Sequence, residues 1–254
     1  MGDEGTMSEQ TMTQVETPSM NPLARIVNVF VAPSKTFEDV KRSSGWWVPF
    51  LIAAVIGLSY SFVLLHKVGM QALVEGVIQQ SPALETRISA GTPEQAAAMR
   101  HGVEMQFKFL YVGPVISLLV GLAASGLLLA TANFGAGGKA KYSQMMGVWF
   151  YGTLPLTLFY LLVMAAIYGG VASDPFNIKN PIGTNVGFYL MGGDMSKMLI
   201  AALSAVDIFA IWTAFVLAIG VSTVAEIKRG AAAAVVCVWW FVFVMLQVAG
   251  AAFS

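Results

Sequence analysis

Apolar residues fall along this chain in five long runs, about residues 46–66, 109–132, 146–170, 203–223 and 232–253, with polar links between them. A helix rises 1.5 Å per residue, so about 20 apolar residues cross a hydrocarbon core of roughly 30 Å. Each run meets that length. The pattern predicts an all-α, polytopic membrane protein with five transmembrane helices. The run at 203–223 has no proline and a single charge, Asp207, and is followed by Glu226, Lys228 and Arg229 before the last run begins.

The links carry their own signals. Residues 1–20 are polar without apolar period and are expected to form a disordered tail. Asn21-Pro22 reads as an N-cap followed by proline at the first helical position. Leu23, Ile26, Val27 and Phe30 then share one helical face, with Arg25 and Asn28 off it. After Ala32-Pro33 a second short helix starts at Ser34, carries Phe37 and Val40, and ends in Lys41-Arg42. Residues 21–45 are therefore expected to be interfacial amphipathic helices, apolar side down and basic residues at the headgroups, leading into a membrane domain over 46–254. Trp46 and Trp47 open the first span, where amphipathic rings favour the interface.

Between the first two spans, residues 67–108 form a polar connection. Thr92-Pro93-Glu94-Gln95 is a capping-box start whose helix runs on into the second span, with a kink expected near Gly113-Pro114. Pro155 predicts a kink in the third span, its freed carbonyl satisfied by neighbouring helices. Asp174-Pro175 and Asn180-Pro181 mark turns before the fourth. Small residues recur at spacing four: Pro49, Ala53, Gly57 and Ser61; Gly113, Ser117, Gly121 and Ser125; Ala210, Ala214, Ala218 and Ser222. Helices in lipid associate through such close contacts, so a compact bundle is expected, with the last stripe facing inward.

Composition agrees with the pattern. The 254 residues are 57% hydrophobic and 11% charged, against roughly 25% charged in globular domains. Fourteen basic and fourteen acidic residues balance, so no net field recruits nucleic acid. One cysteine, Cys237, excludes an internal disulfide. The N-terminus lacks the basic and apolar regions of a cleaved signal. The distribution of charge carries more information. The N-terminal segment has Arg25, Lys35, Lys41 and Arg42; the second link has Lys139 and Lys141 without an acid; the fourth has Lys228 and Arg229 against Glu226. Bases in the first and third links are matched by acids. The positive-inside rule then places the N-terminus in the cytoplasm and the C-terminus outside.

Asp207 is the one acid within an expected span, about one turn in from the outer side. His66, Lys67, Lys108 and Gln247 fall at a similar depth, and pairing with Lys108 or His66 would make the charge tolerable and tie helices together. The alternative is an ion or proton site, making a transporter or channel component. Against it, the positive end of a helix dipole stabilises a carboxylate without a partner. Other chemistry fails on inspection. Gly135-Ala136-Gly137-Gly138-Lys139-Ala140 lacks the first glycine and the Ser/Thr of a phosphate loop. Met191-Gly192-Gly193-Asp194 puts methionine where an intramembrane aspartyl protease has glycine. His66 and His101 have no metal-ligand spacing, Ser222 has no partnering histidine, and the fourteen methionines are scattered. No enzyme, cofactor or metal is expected; the partners expected are the lipid bilayer and other membrane proteins or further copies of the chain.

Several pieces together resemble the Yip family of five-span membrane proteins in its bacterial form. They are Ala32-Pro33-Ser34 with Phe37, then Trp47-x-Pro49, Gly137-Gly138-Lys139-Ala140 with Gln144, and Leu154-Pro155. The most specific is Asp207-Ile208-Phe209-x-Ile211-Trp212, followed by Leu217-x-x-Gly220 and Lys228-x-Gly230. The resemblance implies five helices, a cytoplasmic N-terminus and, for the bacterial form, the inner membrane. Eukaryotic members associate with Rab-type GTPases in vesicle traffic; that role is fold-level analogy and does not transfer. The resulting expectation is a binding, scaffold or membrane-organising protein, with Asp207, Trp212, Pro155, Lys108, His66 and Gln247 as its intramembrane polar or structural positions.

Overall fold

The computed structural model describes residues 19–171, 176–178, 180–190 and 196–252. Residues 1–18 of the tail expected over 1–20, the Asp174-Pro175 turn and the Met191–Asp194 motif lie outside the described residues. Among the described residues the regular structure is all helical, with no β-strand. Five helices are long and apolar enough to cross a membrane: Trp47–Gln79, Pro93–Gly135, Tyr142–Gly170, Ile208–Ala225 and Arg229–Ala251. They alternate in direction. The end that carries the chain's first helices and the links at 136–141 and 226–228 is termed the near end, and the opposite end the far end.

Helices α1 (Pro22–Val31) and α2 (Pro33–Arg42) form a hairpin at the near end. Asn21 caps α1 through its side chain, and each helix has proline in its first turn. The apolar side of α2 is spent on protein. Val40 approaches Gly147 and Phe37 approaches Gly220, so closely that a Cβ on Gly147 would lie 2.5 Å from the Val40 side chain and one on Gly220 would lie 2.9 Å from the Phe37 ring. Two glycines on different spans thus make the seat for one helix.

The first span, α3 (Trp47–Val63), continues through a π-turn at Leu64–Gly69 into α4 (Met70–Gln79). At 33 and 43 residues the first two spans exceed what a bilayer needs. The surplus, with α5 (Pro82–Ala90) between them, forms a helical structure at the far end, so the polar link over 67–108 is helical rather than open loop. Helix α6 (Pro93–Lys108) starts at the capping box, with Thr92 and Gln95 exchanging side-chain and backbone bonds as its sequence predicts. It passes through a 3₁₀ turn at Phe109–Val112 into α7 (Gly113–Ala130).

The third span divides into α8 (Tyr142–Gly152) and α9 (Pro155–Ala166). The carbonyl freed by Pro155 is Tyr151 O, which accepts from Leu154 N at 3.2 Å. Repair is local, by a tightened turn, and not from a neighbouring helix as expected. The fourth span also differs from its expected 203–223. Helix α11 (Lys197–Ser204), preceded by the short α10 (Val186–Leu190), ends before Asp207, and α12 (Ile208–Ala225) begins after it. Asp207 breaks the run because its carboxylate serves the next helix as a cap, which favours an extended backbone at that residue. Helix α13 (Arg229–Ala252) closes the fold.

Two buried clusters result. The first joins α1, α2, α7, α8, α12 and α13 around Val29, Phe37, Met145, Tyr151, Val216 and Val221. The second, toward the far end, packs Val63, Leu73, Val103, Phe107, Val163 and Phe176. The buried side of α12 is Thr213, Val216, Leu217, Gly220, Val221 and Val224. The Ala210, Ala214, Ala218, Ser222 stripe is half-buried beside it, so the most buried side lies one position round from the one expected.

Candidate functional site

Asp207 sits at the far end as the N-cap of α12. Its Oδ1 accepts from Phe209 N at 2.8 Å and Ala210 N at 3.3 Å, and its Oδ2 accepts from Thr184 Oγ1 at 2.5 Å. Asn185 pairs with Asp207 in a short antiparallel bridge, and Ile208 N donates to Thr184 O at 3.2 Å. Behind this junction, Asn185 Nδ2 donates to Asn180 Oδ1 at 2.8 Å, and Asn180 Nδ2 donates to Ser204 Oγ at 2.9 Å. Buried polar groups need such partners, and this network supplies them. Beside it lies an open groove of about 440 Å³, lined by Thr184, Val186, Tyr189, Leu190, Val206 and Ile211 among others.

The expected partners of Asp207 are elsewhere. His66 is exposed, with Nδ1 2.9 Å from Phe62 O and its ring stacked on Phe62. Lys67 lies over the Tyr168 ring at 5.3 Å. Lys108 is exposed at the end of α6, and Gln247 is exposed on α13. The polar cluster proposed from depth alone does not assemble, because equal depth on a helix says nothing of the direction in which a side chain points. Pro155 is buried at the break in the third span, and Trp212 packs edge-on against Phe30 of α1 at 5.7 Å. Among the described residues no group of three or more His, Cys, Asp or Glu converges as a metal site would.

The near end brings together more of the chain. Arg25, expected at the headgroups, instead points inward and is 3% exposed. Its Nε pairs with Asp39 Oδ2 across the hairpin, and its Nη1 donates to Ser43 O at 2.7 Å. Asp39 also accepts from Met20 N, at 3.1 Å to each oxygen, and Thr36 Oγ1 donates to Arg25 O at 3.1 Å. The Tyr151 hydroxyl of α8 is buried beside this pair. An ion pair in low dielectric needs its remaining donors and acceptors engaged; both Asp39 oxygens and two guanidinium nitrogens are, while the Tyr151 hydroxyl has no hydrogen-bond partner among the described residues. Sequence reasoning missed this pair. The available signal was the placement of opposite charges equally far on either side of Ala32, where proline forces the chain to turn.

At the rim of the hairpin, Lys41 pairs with Glu226. Glu226 terminates α12 in the left-handed conformation, at φ 58°. Lys41 donates to its carboxylate and holds it below the usual range for glutamate, with Lys139 adding a further attraction. Gln144 Nε2 donates to Lys41 O at 2.6 Å, and Lys139 N donates to Ala225 O at 3.1 Å. Asn133 ties the intervening link, donating to Ala140 O at 2.9 Å and accepting from Ala140 N at 3.0 Å. Segments as distant in sequence as Phe37, Gly138 to Gln144 and Gly220 to Glu226 thus pack together at this end. Lys35, Lys139, Lys141, Lys228 and Arg229 are exposed at this end.

The family model described as the Yip1 domain matches residues 27–250, nearly the full described chain. The chain belongs to the Yip1 domain family. No curated protein and no solved structure matches it. Several of the pieces that carry the family resemblance lie at the two ends just described. Phe37, Gly137-Gly138-Lys139-Ala140, Gln144 and Gly220 meet at the near end, whereas Asp207 and Ile208 form the far-end cap. In this Yip1 domain the near-end residues hold the hairpin and the links on the ends of the spans.

Proposed function

We propose that this Yip1-domain protein acts without catalysis, as a binding or membrane-organising component whose working surface is the near end. The observation that carries the reading is the convergence there of α2, the 136–141 link, Gln144 and the end of α12 into a fixed surface rimmed by exposed lysines and arginine. Fixed, charged surfaces on membrane proteins suit recognition of other proteins or of headgroups. The partner class we favour is another membrane protein or a further copy of the chain. The uncompensated bases support a cytoplasmic near end, and the bacterial-type resemblance supports the inner membrane. Crosslinking in membranes, followed by mild-detergent purification and mass spectrometry, tests the reading. A stoichiometric membrane-protein partner or self-association is expected, reduced by Lys139→Glu with Lys141→Glu; consistent recovery as a lone monomer would overturn it.

A transport role centred on Asp207 has narrower support, since the carboxylate is engaged in capping and with Thr184. It requires Asp207→Asn to change a flux or its pH response in liposomes, and an unchanged flux ends it.

A further inference from the structure

Among the described residues nothing packs against the outer face of α1. Leu23, Val27 and Val31 stand one above the next at spacing four and are 66%, 62% and 74% exposed. The same helix turns Arg25 and Val29 inward, and Asn28 Nδ2 donates to Met20 Sδ at 3.1 Å. The exposed face is therefore an apolar stripe, with the charge of the helix engaged on the other side.

Depth decides what covers that stripe. Phe30, between Val27 and Val31 in sequence, meets the Trp212 ring at 5.7 Å. Counting back from Ala225 at 1.5 Å per residue, Trp212 lies roughly 20 Å along α12, past the middle of that 18-residue helix. Its neighbours Ile211 and Phe215 are 54% and 63% exposed on that same span, on the face turned out of the fold toward the bilayer. The stripe on α1 is thus continuous in depth with the lipid-facing surface of α12. The other arm of the hairpin differs: α2 exposes Lys35 and Glu38 on its outer side and ends at the Lys41–Glu226 pair. One edge of the hairpin suits hydrocarbon and the other suits water and headgroups.

We propose that α1 is immersed in the acyl chains, so that α1 and α2 form a re-entrant, amphipathic wedge that enters from the near end and returns to it without crossing the bilayer. The occupant of the stripe is lipid. A helix with an apolar face and a charged opposite edge takes that position at an interface, and here its depth is set by docking: Phe37 and Val40 lock α2 into the glycine seats, and the Arg25–Asp39 pair locks α1 to α2. The wedge widens the cross-section of the protein from the near end inward. It deepens the membrane-organising reading of the near end but rests on the span assignment alone, so failure to find a partner protein leaves it standing.

Spin labels test it. In the full chain carrying Cys237→Ala, nitroxides are placed singly through Leu23→Cys, Val27→Cys, Val31→Cys, Lys35→Cys and Glu38→Cys, all exposed positions. The protein is reconstituted in phosphatidylcholine–phosphatidylglycerol vesicles, and collision rates with oxygen and with a water-soluble nickel chelate are measured. Oxygen should dominate at positions 23, 27 and 31, and nickel at 35 and 38. Nickel dominance at 27 and 31 would place the stripe in water. Low collision with both reagents there would place a protein on it, a second copy or another chain. Either result overturns the proposal.

Discussion

Asp207 shows how one residue can be conspicuous in a sequence for a reason other than chemistry. Its oxygens serve the first turn of α12 and the Thr184 hydroxyl. Asparagine caps as well as aspartate, so Asp207→Asn should leave thermal stability nearly unchanged, whereas Asp207→Ala should cost roughly 1 kcal/mol. Equal losses for the two in a detergent melt would show that the charge, not the cap, matters. The Arg25–Asp39 pair predicts a larger effect. Asp39→Ala leaves a buried guanidinium with one partner fewer, at a cost of about 3–5 kcal/mol. Replacing both ends together, Arg25→Met with Asp39→Leu, should recover most of that loss, because the desolvation of two charges is removed with their attraction. If the double variant is as unstable as the single one, the pair contributes more than mutual neutralisation.

At the scale of elements, the docking of α2 hangs on two positions without side chains. A methyl at Gly147 would press on Val40 and Ser44 O, and one at Gly220 on Phe37 and Val148. Gly147→Ala and Gly220→Ala should each destabilise by about 1–3 kcal/mol and expose residues 19–46 to protease. Gly57→Ala, where a Cβ meets nothing within 4 Å, should do neither. Phe37→Leu together with Val148→Ala in the Gly220→Ala background should restore protection, and failure to do so would place the clash elsewhere. The Lys41–Glu226 tie adds a pH dependence. Because Lys41 lowers the carboxyl pKa of Glu226 in the folded state, its stabilisation is present above the ordinary glutamate value, about 4.3, and is lost as pH falls through the depressed value. The melting difference between the natural chain and Glu226→Gln should therefore be constant near neutrality and vanish in acid.

These elements also mark where sequence reasoning stops. The spans and the Thr92 cap were legible because each is a local pattern, an apolar run or four residues at a helix start. The inward face of α1 was not. In a bilayer both the packed face and the lipid face of a helix are apolar, so Leu23 and Val27 look the same as Val29 until a partner is seen. The break at Asp207 depends on Thr184 and Asn185, more than twenty residues away in sequence, and the seat of Phe37 on Gly220 joins opposite ends of the chain.

For the whole molecule, the remaining question is which way it faces, and the arrangement of charge yields a definite expectation. At the far end Lys67, Arg87, Arg100 and Lys108 are accompanied by Glu75, Glu85, Glu94 and Glu104, and Arg100 pairs with Glu75 at 3.0 Å. At the near end Lys139, Lys141, Lys228 and Arg229 stand in two short links with Glu226 as the single acid, and that acid is already paired with Lys41. Bases in short links near span ends are what orient a membrane protein. Arg25, counted among them from sequence, is buried with Asp39 and adds little to an outward field, so the bias rests on the two links. With Cys237→Ala as background, Ser143→Cys at the near end should be shielded from a membrane-impermeant maleimide in intact bacterial cells and labelled after permeabilisation. Thr86→Cys on α5 should be labelled in intact cells. The reverse pattern would invert the protein. Exchanging Lys139, Lys141, Lys228 and Arg229 for glutamine should weaken the preference enough that both sites label partially in intact cells, and an unchanged pattern would move the determinant to the hairpin.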